Sequence, residues 1–217
     1  MIDEASAFDG DIDNEGSSRK LVKKRLEGAT FPKMIVGSTP KTKYTCEISK
    51  AVEEAEAVYK FNVPCPHCNV LQFLEFGGKN TAHGLKWMDH NPQTAAYCCK
   101  HCTALFTQAD YLKIWQKGIW IDAAGNWIDT VNWNFKNANN DEIRPQKHIA
   151  FDKMWTIYSP QTDWSTIVKE FLDATKKSKF GEKSDLKTFI NTTLGEEYEE
   201  EVEQTNAGEL KQRAEDF

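Results

Sequence analysis

Hydrophobic residues recur along the chain at the spacing of helices in some segments and of strands in others. Apolar positions three or four residues apart predict helices, and this pattern occurs over 17–28, over 45–57, over 163–177, in a helix after Thr107 and in a short one capped by Ser184. Short apolar or alternating runs predict strands, and these occur at 34–36, 58–63, 71–76, 148–158 and around a turn at Ala124-Gly125-Asn126. The two patterns together predict an α/β protein whose middle part is rich in strands.

The composition indicates a folded protein with a substantial core. Hydrophobic residues make up 40% of the 217 residues and include seven Trp, which argues against general disorder. The formal net charge of −6 is unlike the positive patch of a module that holds DNA by charge alone. No segment reaches the roughly 18 apolar residues of a membrane span, and Asp3 and Glu4 stand where a signal peptide would carry basic residues. We therefore expect a cytosolic protein.

Two short apolar runs end in residues that can form one polar site. Asp3 and Glu4 follow the apolar Met1-Ile2, and Gly37-Ser38-Thr39-Pro40 follows the strand at 34–36. In open α/β sheets ligands lie outside the carboxyl ends of strands. An Asp-Glu pair at such a place is typical of proteins that hydrolyse nucleotides, in which the Asp supports Mg²⁺ and the Glu activates water. Taken alone, the acid pair is more simply surface charge.

Two C-x-x-C pairs predict a metal site. Tight turns of this kind on neighbouring hairpins can place four thiolates around a structural zinc ion, and the residues concerned are Cys65, Cys68, Cys99 and Cys102. A site closed by four thiolates has no open position, so the metal would stabilise the fold without doing chemistry. Reduced core thiols are the alternative, and a redox pair is less favoured because no thioredoxin-like pattern surrounds the cysteines.

Four nearby residues leave alternatives open. Cys98 could compete with Cys99 for the metal, and His67 and His101 lie inside the two turns and could substitute as ligands. Cys46 lies in an apolar helical setting and is most simply a small core residue.

These pieces, in this order, resemble the large terminase subunit of lambda-like tailed phages, the protein of the DNA-packaging motor. The matching blocks are MIDEASAFDGDIDNEGS, KRLEGATFPKMIVGSTPK, VPCPHC, GLKW, the AAY-C-x-x-C block, GIW, HIAFDKMWTIYSPQTDWSTIV and LKTFINTTLGE. They run from residue 1 to about residue 196, and agreement over that length is not expected by chance.

The resemblance implies a role for each candidate residue. Asp3 is similar to the Walker B aspartate that supports Mg²⁺, and Glu4 to the catalytic glutamate that activates water. Ser38 and Thr39 fall in the family's coupling motif, which senses the γ-phosphate of ATP. The paired cysteines correspond to a zinc-binding insertion. The implied cofactors are a structural Zn²⁺ and, in the complete protein, Mg²⁺ and ATP.

The chain also departs from the family pattern. The phosphate-binding P-loop, G-x-x-x-x-G-K-[ST], occurs nowhere in it, and the family's nuclease domain would be expected to begin where the chain stops, at Phe217. The resemblance therefore implies a partial P-loop ATPase sheet with a β-rich zinc-binding insertion. Its parts are the later ATPase core with Walker B and coupling motif at 1–63, the insertion at 64–146, a return to the ATPase core at 147–196 and an acidic linker at 197–217.

The implied function is that of a fragment of the subunit that couples ATP hydrolysis to packaging of viral DNA into a procapsid. Implied partners are double-stranded viral DNA, the terminase small subunit, the portal protein and a P-loop-bearing N-terminal part of the same protein, all in the host cytoplasm and without a membrane. Because positioning of the phosphates supplies most of the catalysis in phosphoryl transfer, the chain alone is expected to hydrolyse ATP negligibly. The alternative is a non-catalytic zinc-bearing interaction module or a gene remnant.

Three further sequence features admit more than one interpretation. Trp155, Tyr158 and Trp164 could stack on bases, but their apolar neighbours favour packing in the core. A basic stretch formed by Lys20, Lys23, Lys24 and Arg25 is a solvated face or a DNA contact, and the acidic run after Gly195 is a solvated helix or a frayed tail. No position singles out an arginine finger among Arg19, Arg25, Arg144 and Arg213.

Overall fold

The structure is a computed structural model that describes residues 1–7, 17–43, 46–78 and 81–199. The helices in this part of the chain are α1 (Ser18–Leu26), α2 (Glu47–Glu53), α3 (Gln108–Leu112), α4 (Trp164–Ser178) and α5 (Ser184–Thr188). The strands are β1 (Ala57–Pro64), β2 (Leu71–Phe73), β3 (Gly84–Met88), β4 (Asn91–Cys98), β5 (Leu105–Phe106), β6 (Ile119–Ile121), β7 (Trp127–Asp129), β8 (Asn134–Lys136), β9 (Glu142–Ile143) and β10 (Ile149–Phe151). Short 3₁₀ turns cover Ala5–Ala7, Trp115–Lys117 and Thr156–Tyr158.

Strand β1 pairs with three other strands of the larger sheet. That sheet has the order β10-β1-β6-β7-β8-β9, and β2 also pairs with β1. The pairing of β1 with β10 is parallel, in the register Ala57 to Ile149, and the other pairings are antiparallel. A smaller antiparallel sheet has the order β3-β4-β5. Mixed α/β structure with a β-rich middle is therefore confirmed.

The main core is a cluster of aromatic rings beneath α4. This helix buries Trp164, Ile167, Val168 and Ala174 on one face and lies against β4. The Trp164 ring contacts the rings of Tyr97, Phe106 and Tyr111 at centroid distances of 6.4, 6.1 and 5.6 Å. Because these rings come from β4, β5 and α3, the helix fastens the middle of the chain to the later segment.

The polar tips of Trp155, Tyr158 and Trp164 are paired with backbone groups. The Tyr158 hydroxyl donates to the Phe61 carbonyl at 2.9 Å and accepts from the Leu74 amide at 2.7 Å. The indole N–H groups of Trp155 and Trp164 donate to carbonyl oxygens at 2.5 and 3.1 Å. Burial raises the pKa of the Tyr158 hydroxyl, so this group remains a donor. The prediction that these three aromatic residues belong to the core is confirmed.

The antiparallel meander from β6 to β9 is held by side chains that close each of its turns. In the turn at 122–126, Oδ1 of Asp122 accepts from the amides of Ala124 and Asn126 at 2.9 and 2.8 Å. Asp129 and Asn137 accept from turn amides in the same way in the next two turns. The predicted hairpin around residues 124–126 is confirmed.

We predict that Gly118→Ala destabilises the protein by about 1–3 kcal/mol through overpacking. A Cβ atom at this position would lie 2.3 Å from the Cζ atom of Phe61, and that ring is confined by contacts with Trp120 and Tyr158. Urea unfolding measures the change. Gly28→Ala is the matched control, because a Cβ atom there meets no atom within 4 Å; equal effects of the two substitutions would contradict the prediction.

The segment that follows the 34–40 stretch pairs with the end of the described chain. The Lys43 amide donates to the Tyr198 carbonyl at 3.2 Å, and the Tyr198 amide donates to the Lys41 carbonyl at 2.9 Å. An ion pair between Lys43 and Glu199 at 3.0 Å lies beside this bridge. Residues early and late in the chain are therefore connected directly.

Several predicted elements differ in extent from those of the structure. The strand predicted at 34–36 is a single parallel bridge between Val36 and Ile2. Ser184 is the first residue of α5 and Lys183 the cap residue, and the helix continues into a π-helical turn at Phe189–Thr193. The predicted start of α2 at Thr45 and the acidic run beyond Glu199 lie outside the described residues.

A P-loop type of sheet is not seen in the described residues, whose parallel pairings are short. Among the helices of this part of the chain, none is both long enough and apolar enough to cross a membrane.

Candidate metal centre and acidic strand end

The backbone brings the two predicted strand ends side by side. The Ile2 amide donates to the Ile35 carbonyl at 2.8 Å, and the Gly37 amide donates to the Ile2 carbonyl at 2.9 Å. The Ala5 amide also donates to the Gly37 carbonyl, at 3.1 Å. Asp3 and Glu4 therefore leave the pair at the same end as the 37–40 turn.

The acid pair is exposed, and its local backbone is unusual. Glu4 has a φ of 51°, a conformation that costs a non-glycine residue of order 1 kcal/mol or more and is common at functional sites. Its amide donates to Oδ1 of Asp3 at 3.1 Å. A Cβ atom on Gly37 would lie 3.8 Å from the same oxygen, so the carboxylate of Asp3 lies directly beside the turn.

The hydroxyl groups of the turn have different surroundings. Ser38 Oγ accepts from the Ser6 amide at 2.9 Å and donates to the Thr39 carbonyl at 3.0 Å. Ser38 and Thr39 also lie on the wall of a cleft of about 650 Å³ whose other wall includes Asn191. The structure thus places Asp3 and Ser38 on adjoining backbone segments and Thr39 at the edge of a neighbouring cleft.

Two buried residues near Ser6 and Ser38 contribute to packing of the core. Cys46 is buried, and its Sγ lies 3.2 Å from Ser6 Oγ, which confirms it as a core residue. Arg19 is buried as well and forms two hydrogen bonds to the Glu54 carboxylate, at 2.6 and 2.8 Å. These bonds hold the pKa of Glu54 at about 2. Because the Arg19 guanidinium is committed to this pair, it is a poor candidate for an arginine finger.

The four cysteines of the two C-x-x-C pairs converge at the ends of β1 and β4. Their Sγ atoms all lie within 4.8 Å of one another, with Cys65 to Cys102 at 3.8 Å and Cys68 to Cys99 at 3.9 Å. Each pair forms a tight turn in which the amide two residues after the first cysteine, at His67 or His101, donates to its sulfur at 3.4 or 3.3 Å.

The four sulfur atoms form a donor set that suits a bound cation. Burial raises the pKa of the Cys65 thiol to about 12. Burial also opposes ionisation of Cys99, but the amides of Cys102 and His101 and the thiol of Cys65 outweigh it and lower that pKa to about 7. Four sulfur donors with amide hydrogen bonds are the donor set that Zn²⁺ prefers in structural sites. The residues present therefore fit a zinc ion.

The neighbouring candidates do not join the cluster. Cys98 Sγ donates to the carbonyls of Ala82 and Thr103 at 3.3 and 3.4 Å, so it points away from the four sulfurs. His67 Nε2 lies 3.2 Å from the Leu105 carbonyl. In the described ranges, the group of residues that could hold a metal contains neither histidine.

Sequence reasoning did not identify the residues that support the two turns. Asn69 and Thr103, which each follow the second cysteine of a pair, have φ values of 59° and 58°. Gln72 is buried, and its Oε1 accepts from the Lys100 amide at 3.0 Å, which joins the second turn to β2. Asn69 and Thr103 occupy the same position after each C-x-x-C pair, and this could have indicated their shared role in the turns. The role of Gln72 could not be predicted, because it depends on a contact with Lys100, which is distant in sequence.

We predict that Thr103→Gly stabilises the protein by about 1 kcal/mol, because a β-branched residue is strained in the left-handed region. The gain exceeds the loss of the local hydrogen bond from Thr103 Oγ1 to the Cys102 carbonyl. Thermal unfolding of the zinc-loaded protein measures it. Asn69→Gly is the control and should gain less, since Asn tolerates this conformation; a lower melting temperature for Thr103→Gly would refute the prediction.

Two family models match the chain. The model described as phage terminase large subunit gpA, ATPase domain, matches residues 1–120. The model described as terminase large subunit gpA, endonuclease domain, matches residues 150–217. The second match begins at residue 150 and so differs from the expectation that the nuclease domain begins at Phe217. It falls on residues that were assigned to the ATPase core and its linker. In the structure, residues 149–151 pair with β1, and α4 packs in the same core as Cys65 and Cys99. The position of the domain boundaries stays a prediction.

Curated relatives give the same result over nearly the whole chain. The large terminase subunit of Enterobacteria phage P21 is 43% identical over 92% of the chain, and that of Escherichia phage lambda is 39% identical over 99% of it. The chain spans 30% and 32% of the length of these two relatives. No solved structure matches. On the family match and these identities together, the chain belongs to the gpA family of phage terminase large subunits.

Proposed function

We propose that this chain forms part of the ATP-hydrolysing unit of a DNA-packaging motor, a partial P-loop ATPase sheet with a zinc-bearing insertion. The observation that carries the proposal is the parallel backbone bridge between Ile2 and Val36. It sets Asp3 and Glu4 beside Gly37 and Ser38, at the carboxyl end of the pair, where ligands of α/β sheets lie.

The two acids have separate roles in this proposal. Asp3 supports Mg²⁺, which when bound neutralises charge on the phosphates of ATP. Glu4 accepts the proton of the attacking water as a general base. Glu4 is exposed, so water and substrate can reach its carboxylate.

Ser38 and Thr39 complete the proposed nucleotide site as the residues that sense the γ-phosphate. Ser38 Oγ is bonded to the amide of Ser6, so a movement of the turn changes a contact with the segment that carries the acids. The direct bridge from Lys41 and Lys43 to Tyr198 offers a path from this turn to the later part of the chain.

The zinc site in this proposal has a structural role. Cys65, Cys68, Cys99 and Cys102 hold the ion and thereby fix the ends of β1 and β4. We propose that residues 1–63 and 147–196 belong to the ATPase core, 64–146 to the insertion and 197–217 to a linker.

The partners proposed for the complete protein follow from the family. They are double-stranded viral DNA, the terminase small subunit, the portal protein and the part of the protein that carries the P-loop, in the host cytoplasm. Genome cleavage belongs to the family's endonuclease unit.

We predict negligible ATP hydrolysis by this chain alone and Mg²⁺-dependent hydrolysis when the P-loop-bearing part is supplied from a relative. Glu4→Gln should then lower phosphate release by about 10²-fold or more, because a general base contributes about that factor. Glu53→Gln, at an exposed acid on α2, is the control and should retain activity.

Two outcomes would contradict the proposal. Turnover by the chain alone that Glu4→Gln abolishes would show that no P-loop is needed. Zinc binding without nucleotide binding, even with the P-loop part present, would favour a non-catalytic interaction module.

A further inference from the structure

A groove of about 410 Å³ lies between α4 and the tip of the β3–β4 hairpin. Asp89 and His90 form the tight turn of that hairpin, with φ values of 47° and 57°, and His90 and Pro92 form one wall. The opposite wall is formed by α4 and its C-cap residue, and it contributes three lysines, Lys169 and Lys176 from the helix and Lys179 from the cap.

The three lysines carry unbalanced positive charge. Within the described ranges, no ion pair involves Lys169, Lys176 or Lys179, whereas the neighbouring Lys177 pairs with Asp185 at 2.5 Å. Asp173 is the acidic residue in the lining. A protein with a net charge of −6 thus has a concave surface on which cations outnumber acids.

The placement of these lysines is not explained by helix stability alone. Lysines in the last turn of a helix interact favourably with its dipole, which accounts for Lys176 and for Lys179 at the cap. Lys169 lies in the second turn, where the dipole gives no such gain. Seven positions separate it from Lys176, so the two lie on one side of the helix, about 10 Å apart.

We propose that this groove binds the phosphate backbone of duplex DNA, an inference that rests on the proposed packaging function. Ammonium groups on flexible stems bind phosphates as point charges, without base specificity. This suits a motor that must act on DNA of any sequence. The exposure of the lysines lets them reach phosphates without repacking of the protein.

The wall formed by the hairpin depends on the metal centre. Strand β4 ends at Cys98, and the next residue, Cys99, belongs to the sulfur cluster. The zinc site therefore holds the strand that positions His90 opposite the lysines.

The test compares DNA binding of the full chain with that of the variant K169Q/K176Q/K179Q. Fluorescence anisotropy of a labelled duplex of mixed sequence gives the affinity over a range of salt concentrations. Each phosphate contact contributes about 0.9 to the slope of log affinity against log salt, so the variant should lose about 2.7 of slope. The ratio of the wild-type to the variant affinity should then fall about 40-fold between 50 and 200 mM salt.

Two control variants separate the groove from net charge and from folding. K33Q/K117Q/K147Q changes three exposed lysines elsewhere and alters the net charge equally, so it should keep most of the slope. K169R/K176R/K179R keeps the charge in the groove and should bind as the wild type does. Zinc content and melting temperature should be the same in all variants.

Equal losses in the two Gln variants would overturn the proposal, as would a duplex affinity that none of the substitutions changes, or no binding by the wild type at low salt. The binding assay contains no nucleotide, so its result does not bear on ATP hydrolysis. The ATPase proposal is tested separately with Glu4→Gln.

Discussion

Cys65→Ser and Cys99→Ser are each expected to abolish stoichiometric zinc binding and to lower the free energy of unfolding by more than about 4 kcal/mol. Loss of a structural metal is among the few mechanisms with effects of this size. Both residues are fully buried, and both stand at strand ends that the sulfur cluster joins. Zinc content by mass spectrometry and urea unfolding of the same samples check the expectation.

Cys98→Ser is the matched control for these substitutions. Its sulfur bonds to two carbonyl groups and lies apart from the four-sulfur cluster, and a hydroxyl group can keep those bonds. The control should retain one zinc ion per chain. Full zinc retention in Cys65→Ser, or zinc loss in Cys98→Ser, would show that the four sulfurs are wrongly assigned.

Trp164→Ala is expected to destabilise the protein by about 4–5 kcal/mol. Truncation of a buried Trp costs about 3–5 kcal/mol, and an unpaired buried carbonyl adds to this. Trp164 is 1% exposed, and its indole N–H donates to the Ile157 carbonyl at 3.1 Å. Urea unfolding with fluorescence detection measures the change.

Trp133→Ala is the control for this substitution, since it removes the same side chain from a position that is 79% exposed. Its effect should be within about 0.5 kcal/mol. If Trp164→Ala were as mild as the control, the aromatic cluster would contribute little to stability, and the base-stacking interpretation of Trp164 would regain support.

Sequence reasoning predicted the elements whose stability is local. The periodicity of Trp164, Ile167 and Val168 predicted α4. Thr107 and Asp110 form a capping box at the start of α3, a motif that is recognisable from the sequence alone. The strand at 34–36 was overestimated because its extension depends on neighbouring strands. Such pairings depend on residues far apart in sequence, which no local pattern specifies.

The candidate site was predicted to a similar degree. The spacing of the cysteines implied the cluster, and the polar residues after two apolar runs implied the adjoining strand ends. The ion pair of Arg19 with Glu54 and the bridge from Lys43 to Tyr198 were not predicted. In both cases the two partners are far apart in sequence, and no local pattern specifies such a contact.

The parallel pairing of β1 with β10 has a consequence for synthesis of the protein. The two strands lie far apart along the chain, since Tyr59 is aligned with Phe151. At about 5–20 residues per second, the ribosome needs roughly 5–20 s to make the segment between these two residues. During that time β1 lacks its β10 partner, and an unpaired strand edge favours aggregation. The cysteine cluster is complete once Cys102 has emerged, so zinc capture on the nascent chain would order the end of β1 next to Cys65 before β10 is made. We therefore expect the yield of soluble protein to depend on the zinc supply during expression.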